Sequence, residues 1–293
     1  MPPATVTAWI HFEYCFMFGA CVSTAISQSH LLIRIFQTPV RKQISPHLLL
    51  NIFLWILVAL AGIWHAGYMA LASGDYYSTV LVLTSGAAMH SVVTPLSVSV
   101  FFLLLERVMI LGGPGNVFQR HKRRLLVVNA LVCFGVWFYV FFFTMLMETP
   151  VEEEFTNCTT FACVNTHSRV LYGQYIKVGN CLCNAVLAVA FAFKIAAYRR
   201  RNPAASNARN FKQANRIAAW NCVGELLFNA LPHFTNILSA TLHFTTWSTL
   251  GPYGRFLQTV DGLITAFFYR LVLQKQVNSA SKTSAVLSGN TVS

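Results

Sequence analysis

The chain has 293 residues, 55% of them hydrophobic and only 10% charged, with a formal net charge of +12. Soluble globular domains carry roughly 25% charged residues, so this composition excludes a water-soluble fold. The basic excess is not a nucleic-acid surface, because long apolar runs divide it into separate blocks.

A helix needs about 20 mostly apolar residues to cross the hydrocarbon core. Such runs fall at 9–35, 47–72, 79–108, 125–147, 172–197, 216–244 and 251–273. They are continuously apolar, whereas barrel strands alternate apolar and polar residues. The reading is an all-α integral membrane bundle of seven transmembrane helices over residues 1–273, followed by a polar tail over 274–293 expected to be disordered. No internal repeat of the kind that builds transporters from duplicated halves is visible.

Residues 1–8 hold no basic residue, and no small-residue cleavage site follows a short apolar core, so the first span is expected to insert uncleaved. The second span carries Asn51 and, toward its far end, Trp64, His65 and Tyr68. The third carries His90, a Pro95 that should kink it, and a terminal Glu106-Arg107 pair. Gly112-Gly113-Pro114-Gly115 follows; with no strand before it and no Lys-Ser/Thr after it, it reads as a turn and not a phosphate loop.

The loop after the fourth span holds Cys158, Cys163, the acids Glu148, Glu152, Glu153 and Glu154, and the acceptor pattern Asn157-Cys158-Thr159, which makes Asn157 a glycosylation candidate. The other six cysteines lie within spans, as small apolar packing groups. The fifth span begins with Tyr172 and Lys177, and the lysine is either a pocket group or the outer border of its helix. Span six carries Asn221, Glu225, Asn229, Pro232 and His233; span seven carries Gln258, Asp261 and Tyr269.

With the helices alternating in direction, 18 of the 21 Lys and Arg fall on one side, leaving Arg169, Lys177 and Arg255 on the other. The positive-inside rule then puts the N-terminus outside and the C-terminus in the cytoplasm. The cysteine and glycan loop falls on the oxidising side, in agreement.

Charge inside a membrane is costly, so Glu225 and Asp261 are functional candidates by default, with Asn51, Asn221 and Asn229 as polar partners on neighbouring helices. In the outer half, Trp64, His65, Tyr68, His90, Tyr172, Lys177, His233 and Gln258 offer the mixture of apolar wall and few polar groups that a ligand pocket uses. No His-x-x-x-His pair is present, so a metal site between helices, and with it a metal hydrolase, is not expected.

The segment Phe101 to Val108 ends a long apolar helix in an acid followed by an arginine, at the inner end of the third of seven spans. This resembles the Glu/Asp-Arg signature of seven-helix G-protein-coupled receptors. Ala214-Asn215-Arg216-Ile217-Ala218, Phe228-Asn229-Ala230-Leu231-Pro232 and Leu250-Gly251-Pro252-Tyr253 are similar to segments of the nematode serpentine chemoreceptors, class BC among them. The resemblance spans residues 9–273.

It implies a receptor for a small extracellular chemical, odorant or pheromone-like, that activates a heterotrimeric G protein. Glu106 and Arg107 would form the coupling pair, folded together at rest with partial exposure. It also implies a plasma membrane location at the cilium of a chemosensory neuron, with no cofactor and no enzymatic activity.

Two departures from the rhodopsin-like pattern stand out. Span three has no Cys near its outer end, so a local Cys158–Cys163 disulfide would substitute for the usual link; span seven has Asp261 and Tyr269 without the Asn-Pro-x-x-Tyr proline. A transporter or channel with Glu225 and Asp261 as its ion path is the alternative, opposed by the missing repeats and by the Glu-Arg pair.

Overall fold

A computed structural model of the chain describes residues 4–42, 44–71, 77–112, 115–147, 155–156, 170–203, 209–241 and 253–289. In lipid every backbone polar group must be satisfied within the protein, and these residues are almost entirely helical. The elements are α1 (Ala4–Gln37), a 3-10 turn (Pro39–Lys42), α2 (Pro46–Leu71), α3 (Thr79–Gly112), α4 (Gly115–Met147) and α5 (Val170–Arg201). Next comes α6, built as Arg209–Gly224, a π-helical turn Glu225–Ala230 and Leu231–Thr241; α7 is Tyr253–Gly289. A two-residue antiparallel ribbon pairs Tyr77–Ser78 with Phe155–Thr156, tying the approach to α3 to the loop before α5.

Six of the described helices are long and apolar enough to cross a membrane. The remaining crossing is α6, which the π turn divides into shorter pieces. Pro232 has no N–H to donate, and its ring would crowd the carbonyl four residues back. The wider π turn immediately before it, closed by the Leu231 N–H on the Leu226 carbonyl, accommodates this. Pro95, by contrast, sits inside an unbroken α3.

The helices overrun the apolar runs, most clearly at the end of the bundle that carries Glu106 and Arg107, here called the inner end and its opposite the outer, where α3 reaches Gly112, α4 starts at Gly115 and α5 reaches Arg201. The ladder does not stop where the hydrocarbon does, and charged side chains there extend it toward water. The same holds at the C-terminus. The α7 ladder continues to Gly289, where composition led us to expect disorder from Gln274; that stretch contains no proline and no glycine before Gly289.

Helix α3 is the centre of the bundle, packed against α2, α4, α5 and α6, while α1 closes against α2 and α7. Leu48, Ile52, Trp55, Leu96, Leu103 and Tyr269 belong to a core in the inner half; Tyr14, Met17, Ala66, Val82 and Met89 form one in the outer half. Two glycines allow close helix approach: a Cβ on Gly224 would meet Asp261 Oδ1 at 2.7 Å, and one on Gly262 would meet the Trp55 ring at 2.9 Å. Large apolar side chains such as Leu131, Phe134, Val186, Phe193 and Phe267 face outward, as a lipid solvent permits.

Candidate functional site

Buried polar groups form a column down the bundle axis, supplied mainly by α3, α6 and α7. At its outer end His90 of α3 accepts through Nδ1 from Lys177 Nζ of α5 at 3.1 Å and from Arg255 Nη2 of α7 at 3.0 Å. The half-buried His233 of α6 lies within electrostatic reach of all three. Lys177 is therefore not a border residue, because its side chain is 3% exposed and turned into the bundle. Arg255, read from sequence only as a charge on the outer side, joins it there.

One turn below, Gln258 Nε2 donates to Asn229 Oδ1 at 2.8 Å, and Asn229 Nδ2 donates to Glu225 Oε2 at 3.0 Å. The other oxygen of Glu225 accepts from the Ser97 hydroxyl and, at 3.1 Å, from the Cys181 thiol. Asn184 donates to the Ser97 carbonyl at 3.1 Å. Glu225 is thus an anchor where α3, α5 and α6 meet, in a buried pocket of donors. Beside it Asp261 accepts from Thr265, whose hydroxyl also receives the Trp220 indole N–H at 3.1 Å.

Further in, Tyr269 Oη lies 2.6 Å from Asn221 Oδ1 and 2.9 Å from Asn51 Oδ1, its single proton shared between the two, and Asn51 Nδ2 donates to Ser99 at 2.6 Å. One hydroxyl so joins α7 to α6 and α2, and through Asn51 to α3. Asn51 and Asn221 serve Tyr269 and not the two membrane acids; of the three asparagines proposed as partners, Asn229 alone bonds Glu225.

The column ends at Glu106 and Arg107. Arg107 Nη2 stands 3.9 Å from Glu106 Oε2, so the guanidinium does fold back on the preceding carboxylate. The expected partial exposure holds for Arg107, whose side chain is 16% exposed, but not for Glu106, which is 1% exposed. The reason is Ser45, which caps α2 by accepting the His47 N–H at 3.2 Å and donates its own hydroxyl to Glu106. A cavity of about 250 Å³ lies alongside, lined by Ser45, Leu48, Leu103, Arg107, Gln213 and Ile217. Arg107 Nε is buried without a hydrogen-bond partner.

Other candidates do not converge on the outer cluster. Trp64 is 48% exposed and faces out of the bundle. Tyr68 Oη accepts the Ser78 N–H at 2.8 Å and so holds the short ribbon in place. His65 packs edge-on against Tyr14 and pairs with Ser85 at 2.9 Å; since the Ser85 hydroxyl donates to the Leu81 carbonyl, His65 Nδ1 is the donor. The side chain of Tyr172, and all of Asn157, Cys158 and Cys163, lie outside the described residues.

Ser45, Ser97, Cys181, Asn184 and Arg255 were not picked out from sequence. A signal existed in the spacing of polar residues along the apolar spans, 221-225-229 on α6 and 258-261-265-269 on α7, which repeats at a helical period.

The sequence profile of the family described as serpentine type 7TM GPCR chemoreceptor Srbc matches residues 6–277. The chain belongs to this family. The match takes in every span from α1 to the middle of α7, and with it both ends of the polar column. As a Srbc-family protein it is a multi-pass membrane chemoreceptor of the seven-helix G-protein-coupled type. No curated protein matches the chain.

Proposed function

We propose that the protein binds a small extracellular chemical in the outer half of the bundle and activates a heterotrimeric G protein at the inner end. Orientation follows the charge distribution, with the N-terminus outside and the C-terminal helix in the cytoplasm. The setting is the plasma membrane of a chemosensory neuron, at its cilium.

The observation that carries the reading is the succession of buried polar networks along the bundle between its two ends. It begins at His90, Lys177 and Arg255, passes Gln258, Asn229 and Glu225, and continues through Asp261 and Tyr269 to the pair at Glu106 and Arg107. A ligand in the outer part that shifts α6 or α7 changes the partners of Ser97, Asn51 and Tyr269, which is the differential contact a two-state receptor requires. The π turn at Glu225–Ala230, which departs from the regular i to i−4 ladder, is where α6 would bend.

The test is a screen of odorants and peptides on cells expressing the chain, read through second messengers, with an N-terminal epitope to normalise surface density. A ligand-dependent response in expressing cells alone is expected. Staining of a C-terminal epitope on intact cells would overturn the orientation, and ligand-free ionic current in a reconstituted membrane would favour a channel.

A further inference from the structure

Among the described residues, more donors than acceptors converge on His90. His90 Nδ1 has a single lone pair, yet an ammonium with three donors and a guanidinium with five both converge on it. Arg255 Nη1 is buried there with no hydrogen-bond partner. Among the described residues neither Lys177 nor Arg255 has a carboxylate within ion-pair distance. Glu225, the carboxylate within electrostatic reach of Lys177, already receives Ser97, Cys181 and Asn229. Two cations in a low-dielectric interior without a counter-charge are strongly unfavourable. They come from α5 and α7 and meet at His90 of α3, so an anion among the three side chains would bridge three helices.

We propose that Lys177, Arg255 and His90 form a subsite for the anionic head of the ligand, a carboxylate, sulfate or phosphate oxygen group. This rests on the chemoreceptor reading for its biological sense but not for its chemistry. Oxyanions supply the missing acceptors, and guanidinium meets them in a bidentate geometry. His90 lies about 16 Å along α3 from its outer end and Lys177 about 10 Å along α5, at 1.5 Å per residue. The apolar body of such a ligand would then rest on the outer core around Tyr14, Met17 and Met89.

Binding to the purified full chain tests this without any signalling readout. In nanodiscs of neutral phosphatidylcholine, thermal unfolding is followed with hexanoate, hexyl sulfate, hexanol or hexylammonium at constant ionic strength. The two anions should raise Tm with saturation, while the alcohol and the amine do not. Lys177→Met and Arg255→Gln should each weaken the anions about ten-fold or more, the size of one lost charge-assisted hydrogen bond. Lys177→Met should also raise the Tm of the ligand-free protein, since it removes a buried charge that lacks a counter-ion.

Discs containing phosphatidylglycerol separate the sources: a shift from that lipid alone, lost in the same variants, assigns the anion to a lipid headgroup. The proposal fails if no anion shifts Tm in either disc, or if hexanol acts as strongly as hexanoate. Anion shifts that persist undiminished in both variants would equally sink it. A G-protein assay without response, beside a positive anion shift, would remove the signalling reading and leave the subsite.

Discussion

Helices α3 and α4 pack along one another and are both apolar enough to span a membrane, but they stand in different solvents. Of the apolar stretch of α3, 78% is buried, against 17% for α4. The difference decides what each can carry. Helix α3 presents His90, Ser97, Ser99 and Glu106 to four neighbours, and each meets a partner from another element. Helix α4 offers stacked aromatics, Phe134 on Phe138 and Phe138 on Phe142, to the lipid.

Even α4 turns its few polar groups toward α2 and α3, where Asn129 Nδ2 meets His47 and the Cys133 thiol reaches the Pro95 carbonyl. Both polar groups stand where another helix can answer them.

If α3 is the strut through which the helices communicate, changes on its polar face should outweigh changes on α4. Arg107→Ala should abolish G-protein coupling at unchanged surface density and ligand binding; normal signalling would reduce the pair to a charged helix end. Tyr269→Phe removes the hydroxyl that connects α7 to α2 and α6, leaving buried acceptors on Asn51 and Asn221. It should cost about 1–3 kcal/mol, measurable as a lower Tm of the purified protein, and an unchanged Tm would mean that water replaces the hydroxyl.

Glu106→Gln keeps an acceptor for Ser45 but loses the attraction for Arg107, so basal signalling should rise about several-fold. Basal activity at or below the wild-type level would show that the carboxylate does not restrain the arginine. Phe138→Leu, on the lipid face of α4, should stay within about 0.5 kcal/mol in stability and leave the dose response unmoved. A large effect there would mean that α4 has a protein partner and not lipid beside it.

Much of this was legible from the amino acids alone. Run length and continuity determined the seven spans, because a bilayer of fixed thickness asks one question of every segment. The Glu106-Arg107 pair, the membrane acids Glu225 and Asp261 and the kink-forming Pro232 stood out because each violates the apolar rule around it.

Partnership was not legible. Ser45 lies 61 residues from Glu106 and Ser97 lies 128 from Glu225, and no local pattern announces a hydrogen bond across helices. Whether Lys177 lined a pocket or marked a border stayed open, and Arg255 counted only as an outer charge, because hydropathy records how far along a helix a residue stands but not which way it faces. Only the tertiary arrangement, in which both side chains reach His90 of α3, turns both inward. Trp64 and His65 make the same point in miniature: adjacent in sequence, they differ by about 100° around the helix, and that rotation puts one against lipid and the other against Ser85.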